Sequence, residues 1–145
     1  MKQPFTILTL VLILAAGVRA APASEPASAP PPSGRAVAVA YFEALFQGQA
    51  EKADALSAVP FFFDRKEFLQ TKEQIAAKHQ EIARNKGERK LPAYEVMPSP
   101  AKAPTLDRKV FPEYEVYRIK LGQGNDHVDI YVTKGASPKV IGFSD

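Results

Sequence analysis

The chain has 145 residues, 46% of them hydrophobic and 24% charged, with 13 prolines, no cysteine and a formal net charge of +3. The absence of cysteine excludes disulfide staples, thiol catalysis and a lipid-modified cysteine anchor. The small net charge gives no support by itself to a nucleic-acid or anionic-membrane partner.

Lys2 precedes a continuous apolar run from Phe5 to Val18, and Val18-Arg19-Ala20 offers a small-residue cleavage site, so residues 1–20 read as a secretory signal. The run is shorter than the roughly 20 apolar residues that span a bilayer, and no stop-transfer pattern follows. A secreted or periplasmic destination is expected, with no integral span after cleavage. Cleavage removes Lys2 and Arg19 and no acid, which leaves 17 basic against 16 acidic residues. Residues 21–34 are rich in proline and alanine and hold no large apolar side chain, so they predict an extended tether that buries too little surface to fold. Residues 35–145 remain as one domain of roughly 110 residues, enough for one modest core.

The first helix is expected from Ser33 or Gly34 to Gln47, with Ser33 as cap, Gly48 as stop, and Val37, Tyr41, Ala44 and Leu45 on an apolar face. A second helix is expected over Glu51–Ala58, closed by Pro60, and Val59–Phe63 reads as a short aromatic strand or turn with Asp64 at its exit. A third helix is expected from about Lys66 to Lys86, with Phe68, Leu69, Ile75, Ala76 and Ile82 inward, Lys72, Lys78, Glu81 and Arg84 in solvent, and Gly87 as its stop. The period then turns extended. Ala93–Met97, Tyr114–Leu121, Val128–Thr133 and Val140–Phe143 are four strand candidates, and the last three are joined by turn-rich tips. Helices first and strands afterwards predict an α+β fold with an antiparallel sheet of about four strands, without parallel βαβ units. In the third of those strands Val128, Ile130 and Val132 share one face, while His127, Asp129, Tyr131 and Thr133 share the other.

The segment A-Y-F-E-A-L-F-Q-G-Q, followed by A-D-A-L-S-A, and the closing V-D-I-Y-V-T-K-G-A-S-P-K-V-I resemble the nuclear transport factor 2-like, or cystatin-like cone, superfamily, nearest in pattern to its polyketide cyclase and ketosteroid isomerase branch. The resemblance covers residues 35–143. It implies a curved sheet wrapped on three helices around an open-ended apolar cavity, often with a homodimer formed through the sheet. It also sets Tyr41 at an oxyanion-hole tyrosine, Asp64 within about one residue of a general base, and Asp129 at a second oxyanion donor. A carboxylate after Phe61-Phe62-Phe63 at an apolar mouth would gain basicity by desolvation. Read without the resemblance, Tyr41 is a core residue, Asp64 a helix cap and Asp129 a sheet-surface acid.

The expected ligand-binding lining is Leu45, Phe61, Phe63, Phe68, Tyr117 and Tyr131 beside those three. His79, taken as a helix-surface residue, and His127 are the only histidines, and no spacing or third ligand completes a metal site. No glycine-flanked serine, phosphate-cradling loop or base-stacking platform is present, and no cofactor or nucleic-acid partner is expected. Three functions stay open. The first is a noncatalytic binding module for a small apolar or amphipathic molecule or a peptide. The second is an isomerase, cyclase or dehydratase using Asp64 as base with Tyr41 and Asp129 as oxyanion stabilisers. The third is an envelope scaffold or immunity-type protein partner.

Overall fold

The computed structural model describes residues 30–86, 89–103 and 111–145. The expected signal, most of the tether and Gly87 lie outside them. Helix α1 spans Gly34–Phe46, and the Ser33 hydroxyl accepts the Ala36 amide at 3.1 Å as its N-cap. It ends in a Schellman turn: Gly48 adopts φ 72°, the Gly48 amide donates to the Leu45 carbonyl, and the Gln49 amide donates to the Ala44 carbonyl at 2.8 Å. The chain therefore turns off sharply into α2, Ala50–Leu56, which runs directly into β1, Ser57–Phe63.

At this point the structure corrects the expected order. After β1 the chain makes a tight turn in which Asp64 and Arg65 both have positive φ, 48° and 56°, and returns as β2, Glu67–Leu69, paired antiparallel to β1. Helix α3 is Lys72–Lys86 and begins at a capping box, because the Gln74 amide donates to the Thr71 hydroxyl while the Gln74 side chain accepts the Gln70 and Thr71 amides. Phe68, expected inside the helix, stands on β2.

The remaining strands are β3 (Tyr94–Pro98), β4 (Tyr114–Leu121), β5 (His127–Thr133) and β6 (Val140–Ser144). With β1 and β2 they form one sheet of six strands in the order β2-β1-β6-β5-β4-β3. The pairing is antiparallel except between β1 and β6, which run parallel. The sheet is thus mixed and larger than the four antiparallel strands expected. Sequence order hides this contact, since the partners lie at opposite ends of the domain.

Side-chain alternation splits the core in two. Phe61, Ile119, Ile130, Val132 and Val140 face the helices and pack with Val37, Ala38, Tyr41, Ala44, Ala53 and Ile75. Phe62, Val116, Tyr131 and Ile141 face the other way, under Ala101, Ala103, Phe111 and Phe68. The β5 alternation read from sequence holds, and its second face is covered rather than wet at Asp129 and Tyr131.

A register shift between Tyr131 and Val132 marks a bulge in β6, and Gly142 there lies opposite both Tyr131 and Phe62. The Phe62 ring occupies the volume that a side chain on residue 142 would need. Gly142→Ala is therefore expected to destabilise the fold by about 1–3 kcal/mol through overpacking. In denaturant unfolding, Gly142→Ala combined with Phe62→Leu should cost less than the sum of the two single changes, which marks their direct contact.

Candidate functional site

One cavity, of about 670 Å³, opens at the end of the domain where α1 and α3 both terminate. Its interior is apolar: Phe42, Leu45 and Phe46 of α1, Ile82 of α3, and Phe63, Leu121, Val128, Ile130 and Phe143 from the sheet. Phe63 and Phe143 meet edge to face at 4.5 Å, which sets the sheet side of the wall. Asp64, Lys86, Arg89, Asn125, Asp126, His127 and Asp145 supply the polar groups. The positions of these residues at strand ends, at the end of α3 and in the β4–β5 turn put the charge at the mouth and the apolar surface inside.

Asp64 reaches this mouth because its amide donates to the Phe143 carbonyl at 2.8 Å, fastening the β1–β2 turn to β6. Its carboxylate pairs with Lys66 at 3.1 Å. Burial pushes the Asp64 carboxyl up, but hydrogen bonds with Asp145 and Lys66 outweigh burial and hold it below the usual carboxylate range. The basicity expected from a desolvated carboxylate is not realised, because two neighbours supply the polar contacts that the aromatic run does not.

Tyr41 lies deeper, fully buried between the helices and the sheet. Its hydroxyl is 2.8 Å from His79 Nε2, and His79 Nδ1 is in turn bonded to an Asp54 carboxylate oxygen. A carboxylate only accepts, so Nδ1 carries the imidazole proton and Nε2 accepts from the Tyr41 hydroxyl. The chain Tyr41→His79→Asp54 thus joins α1, α3 and α2. His79 is 1% exposed, not a surface residue. The signal was present: Ile75, His79 and Ile82 recur at spacings of four and three and so share the inward face of α3. Asp54 carried no comparable signal, since one acid on a short helix reads as solvent surface.

Asp129 stands on the opposite face of the sheet from Tyr41. Arg118 donates to it twice, each bond 2.9 Å, in a bidentate pair across β4 and β5. Burial raises the Asp129 carboxyl, and the Arg118 guanidinium overcomes that and holds it low. Tyr41, Asp64 and Asp129 therefore do not converge on one point. Of the expected ligand-binding residues, Leu45 and Phe63 line the cavity. Phe61 is wholly buried between the sheet and the helices. Tyr131 and Phe68 belong to the outer cluster, where Tyr131 donates to the Lys102 carbonyl at 3.3 Å. Tyr117 lies beside Gly34 at the start of α1 and donates to Glu115. Among the described residues no group of three His, Cys, Asp or Glu side chains is arranged to hold a metal ion, and no helix is long and apolar enough to cross a membrane.

No protein-family model matches the chain, and no curated protein matches it. Among solved structures, the chain is similar to a domain of unknown function with a cystatin-like fold from Nostoc punctiforme, with 21% identity, coverage of 76% of this chain and 72% of that chain, and a TM-score of 0.43.

Burial holds His79 below the usual imidazole value despite the opposing pull of Asp54. In the unfolded chain His79 takes up its proton near pH ~6.5, before the folded protein does. Folding stability is whole above that pH and declines as pH falls toward the folded value. Burial and, after it, Asp54 push the Tyr41 phenol up, so its contribution is present below pH ~10 and lost as pH rises through the folded value. Tyr41→Phe strands the His79 Nε2 acceptor in the core and should cost about 1–3 kcal/mol at neutral pH in urea unfolding, and an unchanged midpoint would rule out the bond.

Proposed function

We propose that this chain is an exported, noncatalytic binding module whose cavity takes a small amphipathic molecule. The observation that carries this reading is the separation of surfaces within one hollow: nine apolar side chains inside, with Asp64, Lys86, Arg89, Asp126, His127 and Asp145 among the charged or titratable groups of the lining. Its volume of about 670 Å³ falls within the roughly 300–1,000 Å³ usual for small-molecule sites. An apolar body gains by leaving water in proportion to the area buried, and a polar end kept at the mouth avoids the cost of desolvation.

The noncatalytic part of the reading is supported by how the polar groups are engaged. The Tyr41 hydroxyl is held by His79, the Asp64 carboxyl lies below the usual carboxylate range rather than above it, and Asp129 is bound to Arg118 behind the sheet. A general base needs a pKa near the working pH and reach to its substrate. Export rests on the apolar N-terminal run and the proline-rich segment that follows it.

The neutral fluorophore N-phenyl-1-naphthylamine, titrated into the protein, is expected to brighten and saturate at one site. Leu45→Trp, which fills the cavity, should weaken that binding by about tenfold or more, a loss of at least ~1.4 kcal/mol. Asp64→Asn should change it only a few-fold. Binding that ignores Leu45→Trp would overturn the cavity as the site, and turnover that depends on Asp64 would overturn the noncatalytic reading.

A further inference from the structure

We propose that the Tyr41–His79–Asp54 chain is an acid-sensitive latch on the helical wall of the cavity, so that protonating His79 loosens α1 from α3 and releases the occupant. The inference rests on the cavity being the binding site. It follows from where the latch sits: Tyr41 is one turn from Leu45 on α1, and His79 is one turn from Ile82 on α3. Leu45 and Ile82 both line the hollow. The hydrogen bond between Tyr41 and His79 therefore ties together the two helices that wall the cavity, immediately behind the wall.

The latch has one acceptor too few to take up a proton unchanged. With Nδ1–H committed to Asp54, a second proton must enter at Nε2, facing the Tyr41 hydroxyl at 2.8 Å. The hydroxyl then has to turn and accept, which takes its own hydrogen away from His79, its hydrogen-bond partner among the described residues. Around it stand the rings of Phe61 and Phe143, at centroid distances of 6.2 Å from the Tyr41 ring. A buried donor left without an acceptor is costly, and separating the helices to admit water relieves it. Each element packed on His79 contributes a facing group: Tyr41 from α1, Asp54 from α2, Lys72 from its own helix and the Phe61 ring from β1. Burial opposes the imidazolium most strongly, Asp54 favours it, and the Lys72 ammonium opposes it. Burial holds the imidazole below its ordinary value, so it takes up its second proton only as pH falls below the ordinary imidazole range, where carboxylates that are held low keep their charge.

N-phenyl-1-naphthylamine binding at pH ~7.5 and ~5.0, with circular dichroism at each pH, tests the latch. The wild-type affinity is expected to fall about tenfold or more in acid with the helical signal retained, while His79→Gln, which does not titrate, holds its affinity within about twofold. Asp54→Asn removes the charge that favours the imidazolium and should move the loss to lower pH, which keeps the proposal falsifiable if His79→Gln fails to fold. The latch is overturned if wild-type binding does not change with pH, if His79→Gln loses affinity as the wild type does, or if His127→Gln at the mouth is the variant that abolishes the pH effect. In the first of these cases Leu45→Trp still weakens binding at pH ~7.5 if the cavity itself is the site. If Leu45→Trp has no effect there, the cavity reading and the latch fall together.

Discussion

The parallel pairing of β1 with β6 is the contact on which the rest of the architecture depends. It joins Ser57–Phe63 from the first half of the domain to Val140–Ser144 at its end, and so places the seven-residue aromatic and aliphatic strand β1 inside the sheet, between β2 and β6, rather than at its edge. Because strand side chains alternate, this one placement sends Phe61 and Phe63 toward the helices and Phe62 through to the opposite face. Phe62 then requires a glycine beside it, which Gly142 supplies, and Phe63 meets Phe143 to form the sheet wall of the cavity. The turn that follows β1 is anchored to the same strand through the Asp64 amide, and that anchor brings a carboxylate to the cavity mouth.

Local signals in the sequence were sufficient for the elements whose ends are chemically marked. Ser33 and Gly48 bracket α1 because a hydroxyl and a left-handed residue satisfy groups that the helix itself leaves open. The four later strands were legible for a similar reason, since turn residues separate most of them. The start of α3 was marked too, by Thr71 and Gln74, but Phe68 and Leu69 fit a helical period and outweighed it. Two adjacent apolar residues that a short strand sends to opposite faces, Phe68 to the outer cluster and Leu69 to the helix-facing core, read by spacing alone as one turn of an amphipathic helix. The parallel contact had no local signal, because it is decided by which edge remains open once the hairpins have formed.

The polar residues of the candidate site were legible as residue types and not as partnerships. Asp129 looked available for chemistry because the resemblance set it in one site with Tyr41 and Asp64, yet alternation along β5 places it on the face opposite Val128 and Ile130. There it meets Arg118, its direct cross-strand partner, in a pair that satisfies both charges. The outer face that a sheet-mediated homodimer would use is covered at its centre by Ala101, Ala103 and Phe111 of the same chain. The sheet's edges are also moderated: β2 is only three residues long, and Arg35 donates to the Val96 carbonyl on β3. Lys78 shows the same conversion of an apparent surface charge into structure, since its ammonium lies 4.7 Å from the Phe63 ring centre while bonded to Glu67.

A hollow persists in this small domain because helix and strand lengths do not match. Helix α1 starts beside Tyr117 in the middle of β4 and stops at Phe46, where the Schellman turn takes the chain away into α2. The strands continue past that point and leave Leu121, Val128, Phe63 and Phe143 half-buried at one end of the sheet, with no further helix among the described residues to cover them. Filling the gap would need another turn of α1, and Gly48 prevents it at the position where a left-handed residue ends the helix. The same geometry places the buried Tyr41–His79–Asp54 chain directly behind the opening, where the helices still overlap. A polar chain there is satisfied only while α1, α2 and α3 keep their relative positions, so the alignment of the cavity wall depends on the protonation of one imidazole.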